Sequence, residues 1–247
     1  MPIPGALGGN PNCSPKLRAA IFDVDGVLLA SPHERAWREA LKGFADPARF
    51  TSKLYEEHVA GKPRLAGALA ALEALGVADA ELNAPVYAER KQTRLEELIQ
   101  TGSFAAFPDA LRFVEAVAAL GFPMAVASSS KNANSMMKTL RLASGQTLFD
   151  AFGVNVCGRD LARGKPDPAI FLLAASELTV EPKFCFVAED APAGVEAARA
   201  GGMTALGIAR LGDAPLLRLA GAYLVVESFD EVAIDELAAG RLRRRPS

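Results

Sequence analysis

The sequence predicts an α/β protein: a Rossmann-like, three-layer core with a parallel sheet between two layers of helices, and a helical domain inserted after the first strand. Three observations predict this fold class. Residues 19–29 form an apolar run that is broken by two acids. About 70 residues with helical periodicity and no strand follow it. From residue 107 onward, strand-like and helix-like patterns alternate, as they do in α/β/α sandwiches.

The first predicted strand leads into the two acids. A continuous apolar run is typical of a strand buried on both faces of a parallel sheet. Because an unpaired buried carboxylate costs roughly several kcal/mol, we predict that the strand ends at Asp23. Asp23 and Asp25 then stand at the carboxyl edge, where open α/β sheets bind ligands, and Gly26 permits a sharp turn. An edge strand with two solvated acids is the alternative interpretation.

The helical stretch after Leu29 indicates an inserted lobe of four or five helices. Ser31 can cap the first helix with Pro32 at its first position, and the last helix ends near Gln100. Turns are predicted at residues 43–47, 61–63, 76–79 and 83–85. The predicted organisation is an N-terminal extension at 1–17, a core at 18–30 and 105–247, and the helical domain at 31–104.

The remaining chain predicts the rest of the core. Helices are expected at residues 109–120, 131–142, 168–178 and 191–200, with a short one from residue 230. Strands are expected at residues 122–127, 154–157, 184–188, 204–208 and 222–226. This alternation predicts a parallel sheet.

Composition excludes several classes of function. Half of the 247 residues are hydrophobic and the net charge is −2, so the chain can form a large core and has no basic field for nucleic acid. No apolar run is long enough to span a membrane, and residues 1–15 lack a signal-peptide pattern. Cys13, Cys157 and Cys185 lack metal-ligand spacing. We expect a cytoplasmic protein that is a monomer.

Three further stretches follow predicted strands or precede predicted helices: residues 125–130 (Ala-Val-Ala-Ser-Ser-Ser), 164–168 (Gly-Lys-Pro-Asp-Pro) and 187–194 (Val-Ala-Glu-Asp-Ala-Pro-Ala-Gly). Together with residues 19–29, and in this order, they resemble the motifs of the haloacid dehalogenase superfamily of phosphotransferases. Within that superfamily the chain looks most like the β-phosphoglucomutase-like branch. The resemblance covers about residues 18–230, and it places a helical cap at 31–104.

The resemblance implies a catalytic role for four residues. Asp23 would attack phosphorus and form an aspartyl phosphate, and Asp25 would act as general acid and base. Ser128 and Lys165 would hold the transferring phosphate, and Lys165 would also offset the charge of Asp23. An acid at Asp25 favours phosphate esters over the substrates of the dehalogenases. From the residues alone, Ser128 also fits a helix cap and Lys165 a solvated charge.

Two more acids, Glu189 and Asp190, follow an apolar strand. Acids at the start of a helix can simply complement its dipole. Beside Asp23, the resemblance implies that they complete a shell for Mg²⁺. The implied ligands are the carboxylates of Asp23 and Asp190 and the backbone carbonyl of Asp25, with Glu189 binding directly or through water.

The resemblance also implies a set of substrate-binding residues: His33, Trp37, Arg64, Lys91, Ser129, Lys131 and Asn132. His33 and Trp37 are one helical turn apart and share a face. Arg64 matches a mutase arginine that grips the non-transferring phosphate. The connection from Asp25 to His33 is two residues shorter than the family pattern, and residues 30–32 replace its usual hinge.

Three functions stay open at this point. The first is a Mg²⁺-dependent phosphotransferase of the β-phosphoglucomutase kind, acting on a small phosphorylated sugar. The second is a phosphatase, in which water resolves the phospho-aspartate. The third is a non-catalytic binding domain that kept the fold. The core motifs are the same in a mutase and a phosphatase, so they do not decide between the first two.

Overall fold

The computed structural model describes residues 16–246, so nearly all of the predicted extension at 1–17, including Cys13, lies outside the described residues. The strands are β1 (Ala19–Phe22), β2 (Leu29–Ala30), β3 (Ala105–Ala106), β4 (Met124–Val126), β5 (Val154–Asn155), β6 (Cys185–Glu189), β7 (Thr204–Ile208) and β8 (Leu224–Val226). The helices are α1 (His33–Ala40), α2 (Ser52–Leu54), α3 (Arg64–Ala74), α4 (Ala80–Gln100), α5 (Pro108–Ala119), α6 (Ala133–Thr139), α7 (Ala169–Glu177), α8 (Pro192–Ala200), α9 (Ala214–Leu219) and α10 (Ile234–Ala238).

Six of the strands form one parallel sheet in the order β5-β4-β1-β6-β7-β8. The first strand of the chain is therefore central, with β4 on one side and β6 on the other. Because all six strands run the same way, their carboxyl ends share one edge. The predicted α/β sandwich is confirmed.

The sheet is buried on both faces because alternate residues of a strand point to opposite sides. On β1, Ala20 and Phe22 join one apolar cluster, and Ala19 and Ile21 join the cluster on the other face. All four residues are fully buried. The continuous apolar run therefore stands in the middle of the sheet, as the sequence predicts.

Between β2 and β3 the chain forms α1 to α4. Their apolar faces enclose a core of their own around Trp37, Leu72 and Tyr87. β2 and β3 pair with each other as a two-stranded antiparallel ribbon, so both connections to this helical segment lie side by side. A π-helical turn, Tyr55–Val59, follows α2.

Two local predictions are wrong. The turn at 83–85 does not form, because α4 runs continuously from Ala80 with Pro85 inside it. Near the start of a 21-residue helix a proline removes only one backbone hydrogen bond, and the packing of α4 on α1 and α3 offsets that loss. Ser31 does not cap α1 either, since Pro32 takes the N-cap position and no side chain caps the helix.

Within residues 16–246, no helix is both long enough and apolar enough to cross a membrane.

Candidate active site

The first two acids lie where β1 ends. The N–H of Asp23 still donates to the carbonyl of Ala188 on β6, at 3.0 Å, and its side chain is buried. The loop then turns at Gly26, which has a φ of +82°. Asp25 therefore leaves the sheet on a tight loop, and its carboxylate returns toward the same edge.

A buried lysine lies between two of the acids. Lys165 Nζ donates to Asp23 Oδ1 at 2.6 Å and to Glu189 Oε1. The lysine is only 4% exposed, so it is not the solvated charge that its loop position also permitted. Burial by itself would lower the pKa of Lys165, but the carboxylates of Asp23 and Glu189 outweigh burial and raise it. The ammonium is therefore positively charged at neutral pH.

Glu189 is fully buried at the end of β6, and its two carboxylate oxygens bind protein donors. Oε1 accepts from Lys165, and Oε2 accepts from the backbone N–H groups of Asp190 and Ala191 at 2.9 and 3.0 Å. The structure thus places Glu189 as the partner that aims Lys165. The adjacent Asp190 turns the other way, and its carboxylate packs against Gly26, where a Cβ would lie 1.7 Å from Oδ2.

The site carries more negative than positive charge. Burial, together with Glu189 and Asp25, raises the pKa of Asp23 to about 7, against the opposing effect of Lys165. Burial and the carboxylates of Glu189 and Asp23 raise the pKa of Asp190 well above its usual range. Shifts in this direction are expected of buried carboxylates that are held close together without enough cations.

These residues fit a hard divalent cation. In the described part of the chain, no three side chains of His, Cys, Asp or Glu converge as a ready-made metal cluster. The expected set takes two carboxylates directly, from Asp23 and Asp190, plus the backbone carbonyl of Asp25, with Glu189 binding directly or through water. Asp25 Oδ1 is buried without a hydrogen-bond partner, which also indicates that this pocket is built for a further polar or charged group. Oxygen donors with excess negative charge are what Mg²⁺ prefers.

Ser128 lies two residues after the end of β4, beside the same acids. It is buried, its Oγ lies 3.3 Å from Asp25 Oδ2, and it accepts the N–H of Ser130 at 3.0 Å. It is not a helix cap, because α6 begins after Asn132 and no side chain caps it. Ser128 therefore faces the carboxylates of β1.

The helical segment brings His33 and Lys91 over Asp25. His33 Nε2 lies 3.6 Å from Asp25 Oδ1, and Lys91 Nζ lies 3.2 Å from His33 Nδ1. Burial and the ammonium of Lys91 lower the pKa of His33 to about 4, and burial lowers that of Lys91 to about 8. A neutral His33 that accepts from Lys91 at Nδ1 carries its proton on Nε2, which is the atom that faces Asp25.

All the residues predicted for the site line one cavity of about 330 Å³. Trp37 does so from the core of the helical segment, where it is 3% exposed, and the ammonium of Lys91 lies 5.0 Å from its ring centre. Arg64 is half exposed, and its Nη2 lies 3.3 Å from Glu89 Oε1. Lys131 pairs with Asp160 at 3.0 Å near the opening. Ser129 and Asn132 complete the predicted set.

Two features of this cavity are not expected from the sequence. Tyr55, in the π-helical turn, lines the cavity, and burial together with Asp25 and Asp190 raises its pKa. No sequence pattern marks a π-helical turn. The segment around Pro63 packs directly on the loop of Lys165: a Cβ at Gly164 would lie 2.3 Å from Pro63 Cγ. Sequence spacing does not show such a contact between distant loops.

The acids lie at the carboxyl edge of a doubly wound sheet, a buried lysine pairs with the first of them, and a helical segment lies above them. This arrangement defines the site of a phosphoryl-transfer enzyme. The family model of haloacid dehalogenase-like hydrolases matches residues 17–202. The chain belongs to this family, and the resemblance given by its motifs is confirmed.

Several relatives narrow the class of phosphoryl-transfer enzyme to which the chain is similar. The chain is 35% identical over 243 residues to a β-phosphoglucomutase of Mycobacterium tuberculosis, covering 88% of this chain and 92% of that protein. It is 31% identical over 217 residues to a phosphorylated carbohydrates phosphatase of Thermotoga maritima, covering 85% and 94%. Among solved structures, a β-phosphoglucomutase of Clostridium difficile superposes with a TM-score of 0.73 at 27% identity, covering 90% and 97%. The chain is therefore an enzyme of phosphoryl transfer, related to both sugar phosphomutases and phosphatases.

Proposed function

We propose that this protein is a Mg²⁺-dependent phosphotransferase that acts on a small phosphorylated sugar through a phosphorylated Asp23, most closely in the manner of a β-phosphoglucomutase. The observation that carries the proposal is the cavity itself. Acids of the core form its floor, and cationic side chains of the helical segment, Arg64 and Lys91, lie on its other side. Lys165 lies among the core residues, so the cavity has a cation on each side, which suits a substrate that carries phosphate at one end and receives it at the other.

In the proposed first step, a carboxylate oxygen of Asp23 attacks the phosphorus of the substrate. The bond from phosphorus to the sugar oxygen breaks, and Asp25 gives its proton to that oxygen. Lys165 holds an oxygen of the transferring group, and Ser128 donates to another. The lysine lies 2.6 Å from Asp23 Oδ1, so it also keeps the nucleophile in one orientation.

In the second step, an acceptor hydroxyl attacks the phosphorus of the phospho-aspartate and loses its proton to Asp25. The carboxylate of Asp23 is released, and both acids return to their starting state. A hydroxyl of the sugar as acceptor makes the enzyme a mutase, and water makes it a phosphatase.

The metal would be held by the carboxylates of Asp23 and Asp190 and by the backbone carbonyl of Asp25. When bound, Mg²⁺ supplies positive charge that offsets the phosphate oxygens and the acid cluster. Glu189 contributes by aiming Lys165, since both of its carboxylate oxygens bind protein donors.

The helical segment at 31–104 is proposed to act as a cap. His33 would direct its Nε2 proton at Asp25 and so fix the position of that carboxylate, and Lys91 would fix the tautomer of His33. Arg64 would bind the second phosphate of a sugar bisphosphate with its guanidinium. The close packing of Pro63 on Gly164 would keep water out of the cavity during transfer.

The competing function is a sugar phosphatase, which the relative from Thermotoga maritima favours. Purified protein with Mg²⁺, β-glucose 1-phosphate and a trace of glucose bisphosphate distinguishes the two. We expect glucose 6-phosphate to form faster than free phosphate. Stoichiometric release of phosphate without isomerisation would instead establish the phosphatase.

We also propose that the enzyme works as a monomer in the reducing interior of the cell. The two described cysteines, Cys157 and Cys185, are both buried and unpaired, which supports the reducing compartment. Size-exclusion chromatography with light scattering checks the monomer.

A further inference from the structure

Arg210 follows β7 at the edge of the sheet that carries the site, although it does not line the cavity. Its side chain is only 14% exposed. No motif of the sequence points to it. Its guanidinium nevertheless reaches the loop that carries Asp25.

The guanidinium makes three hydrogen bonds in three directions. Nε donates to the carbonyl of Gly26 at 3.1 Å, and Nη2 donates to the carbonyl of Val27 at 3.1 Å. Nη1 donates to Asp109 Oδ2 at 3.2 Å, which balances its charge. The planar group also lies on the ring of Phe107, with Cζ 3.7 Å from the ring centre. Donors in a rigid fork with a stacked face hold a single geometry well, and a lysine does not reproduce it.

The two bound carbonyls belong to the part of the loop that contains its glycine. Gly26 has a φ of +82°, a conformation that glycine adopts without strain and can also leave easily. Its N–H donates to the carbonyl of Leu29 at 2.8 Å, and its own carbonyl accepts from Arg210. One bond therefore fixes the peptide before the glycine, and one fixes the peptide after it. Both dihedral angles of Gly26 are constrained as a result.

We propose that Arg210 is a positioning residue that locks the Gly26–Val27 backbone and thereby sets where Asp25 stands in the site. Arg210 does not line the cavity, so it would act through the Asp25 loop. The consequence for turnover rests on the proposed function, because it is there that Asp25 moves the proton. The consequence for the loop does not depend on that proposal.

The same guanidinium ties the loop to the return connection of the helical segment. Phe107 comes directly after β3, and its N–H donates to the carbonyl of Leu28 at 3.0 Å. Asp109, two residues further on, holds Arg210 from the other side. Arg210 thus lies where the Asp25 loop and this connection meet the core.

Two measurements on Arg210→Lys and Arg210→Ala test the proposal. The first is hydrogen–deuterium exchange of residues 23–29, where the amides of Gly26, Leu28 and Leu29 are hydrogen-bonded. The second is steady-state kinetics with Mg²⁺ on β-glucose 1-phosphate and on an aryl phosphate. Arg112→Lys and Arg112→Ala are the matched controls, because Arg112 pairs with Asp230 on the exposed side of α5 and does not reach the loop.

We expect exchange in residues 23–29 to rise at least about tenfold in the Arg210 variants, with exchange in β6 unchanged. The kcat should fall on the order of 100-fold, with little change in KM, because the acid is displaced rather than the binding groups. Guanidinium added at millimolar concentration should restore part of the kcat of Arg210→Ala. The Arg112 variants should match the wild type in both measurements.

Unchanged exchange in residues 23–29 would overturn the lock, and unchanged kcat with faster exchange would overturn its role in turnover. If Arg210→Ala does not fold, Arg210→Lys decides, since it keeps the charge and most of the side-chain volume. If wild-type protein turns over neither phosphate, the proposed function has failed, and the exchange comparison alone decides the lock.

Discussion

At the scale of single residues, Asp23 is held in surroundings that stability alone would not favour. Burial and the neighbouring acids raise its pKa to about 7, from a usual value near 3.8. Above the usual value the folded state therefore binds more protons than the unfolded one, and stability falls as the pH rises toward 7. A residue kept in such a position is a candidate for function.

Asp23→Asn should abolish turnover while leaving the fold intact. The amide keeps the shape but has no carboxylate to attack phosphorus, so we expect a loss of about 10⁴-fold or more in kcat on an aryl phosphate. Asp150→Asn, at an exposed aspartate on the far connection, is the control. Activity of Asp23→Asn near the wild-type level would rule out Asp23 as the nucleophile.

Asp109 is a residue whose role is structural as well as electrostatic. Its Oδ2 accepts from the N–H of Phe229 at 2.8 Å, the hydroxyl of Ser228 at 2.9 Å and Arg210 at 3.2 Å. Burial opposes ionisation, but these three donors outweigh it and lower the pKa of Asp109. Its stabilising contribution is thus present above pH 3.8 and is lost as the pH falls below that value.

Asp109→Asn should destabilise the protein by about 1–3 kcal/mol at pH 7, because an amide cannot satisfy all three donors as a carboxylate does. The difference from wild type should shrink as the pH falls below 3.8, where the unfolded chain takes up a proton before the folded carboxylate, whose pKa is lower, does so. Urea denaturation across this pH range measures both effects. Asp235→Asn, at an exposed position on α10, is the control, and a difference that does not change with pH would contradict the assignment.

At the scale of elements, the decisive contact is between two loops that are far apart in sequence. Pro63, which precedes α3, packs on Gly164, which precedes Lys165. The approach is possible only because position 164 lacks a side chain: a Cβ there would lie 2.3 Å from Pro63 Cγ and 2.5 Å from Cδ. The helical segment therefore lies closed over the core at this point.

Gly164→Ala should force the two loops apart and admit water to the cavity. We expect the ratio of phosphate release to isomerisation to increase about tenfold, with only a small change in the melting temperature. Gly153→Ala is the matched control, since a Cβ at that position has open space around it. An unchanged ratio would show that this contact does not govern water access.

At the scale of the whole molecule, the strand order determines the chemistry. β1 is central, β4 and β6 flank it, and each of the three leads directly into a site residue. Asp23 and Glu189 thereby meet with Lys165 as the buried cation between them. Burial beside neighbouring acids raises the pKa of Asp23 and of Asp190. The folded protein as a whole should therefore gain stability from a divalent cation.

Mg²⁺ should raise the melting temperature at pH 8, where the unmetallated acids repel each other most. At a concentration of about 100 times Kd the gain is about 2.7 kcal/mol, and differential scanning calorimetry measures it. Asp190→Asn should remove the shift, because it deletes one proposed ligand. Ser135→Ala, at an exposed site on α6, should keep it, and a shift that survives Asp190→Asn would argue against the proposed ligand set.

Much of the fold could be predicted because the apolar residues of each core strand indicate by themselves that the strand is buried. The apolar run before Asp23 and the run of β6 are both buried on two faces, and their lengths match the prediction closely. Pro85 shows the limit. A local rule placed a turn there, and the packing of a long helix outweighed it.

For the site, the sequence located Asp23 and Asp25 at the carboxyl edge because strand ends are local features, and the resemblance of the motifs added Ser128 and Lys165. It did not predict that Glu189 would bind Lys165 with one oxygen and two backbone amides with the other. Nor did it predict the contacts of Tyr55, Pro63 or Arg210. Each of these depends on segments that approach only after the whole chain has folded.

The sequence by itself thus determined the fold class, the family and the residue types of the site, because periodicity and motif spacing are properties of the order of residues along the chain. Only the tertiary structure decided how the charges pair, how closely the helical segment approaches the core and which arginine holds the Asp25 loop. The physical reason is that hydrogen bonds and close packing act over a few ångströms between residues more than a hundred positions apart, and distance in space has no signature in one sequence.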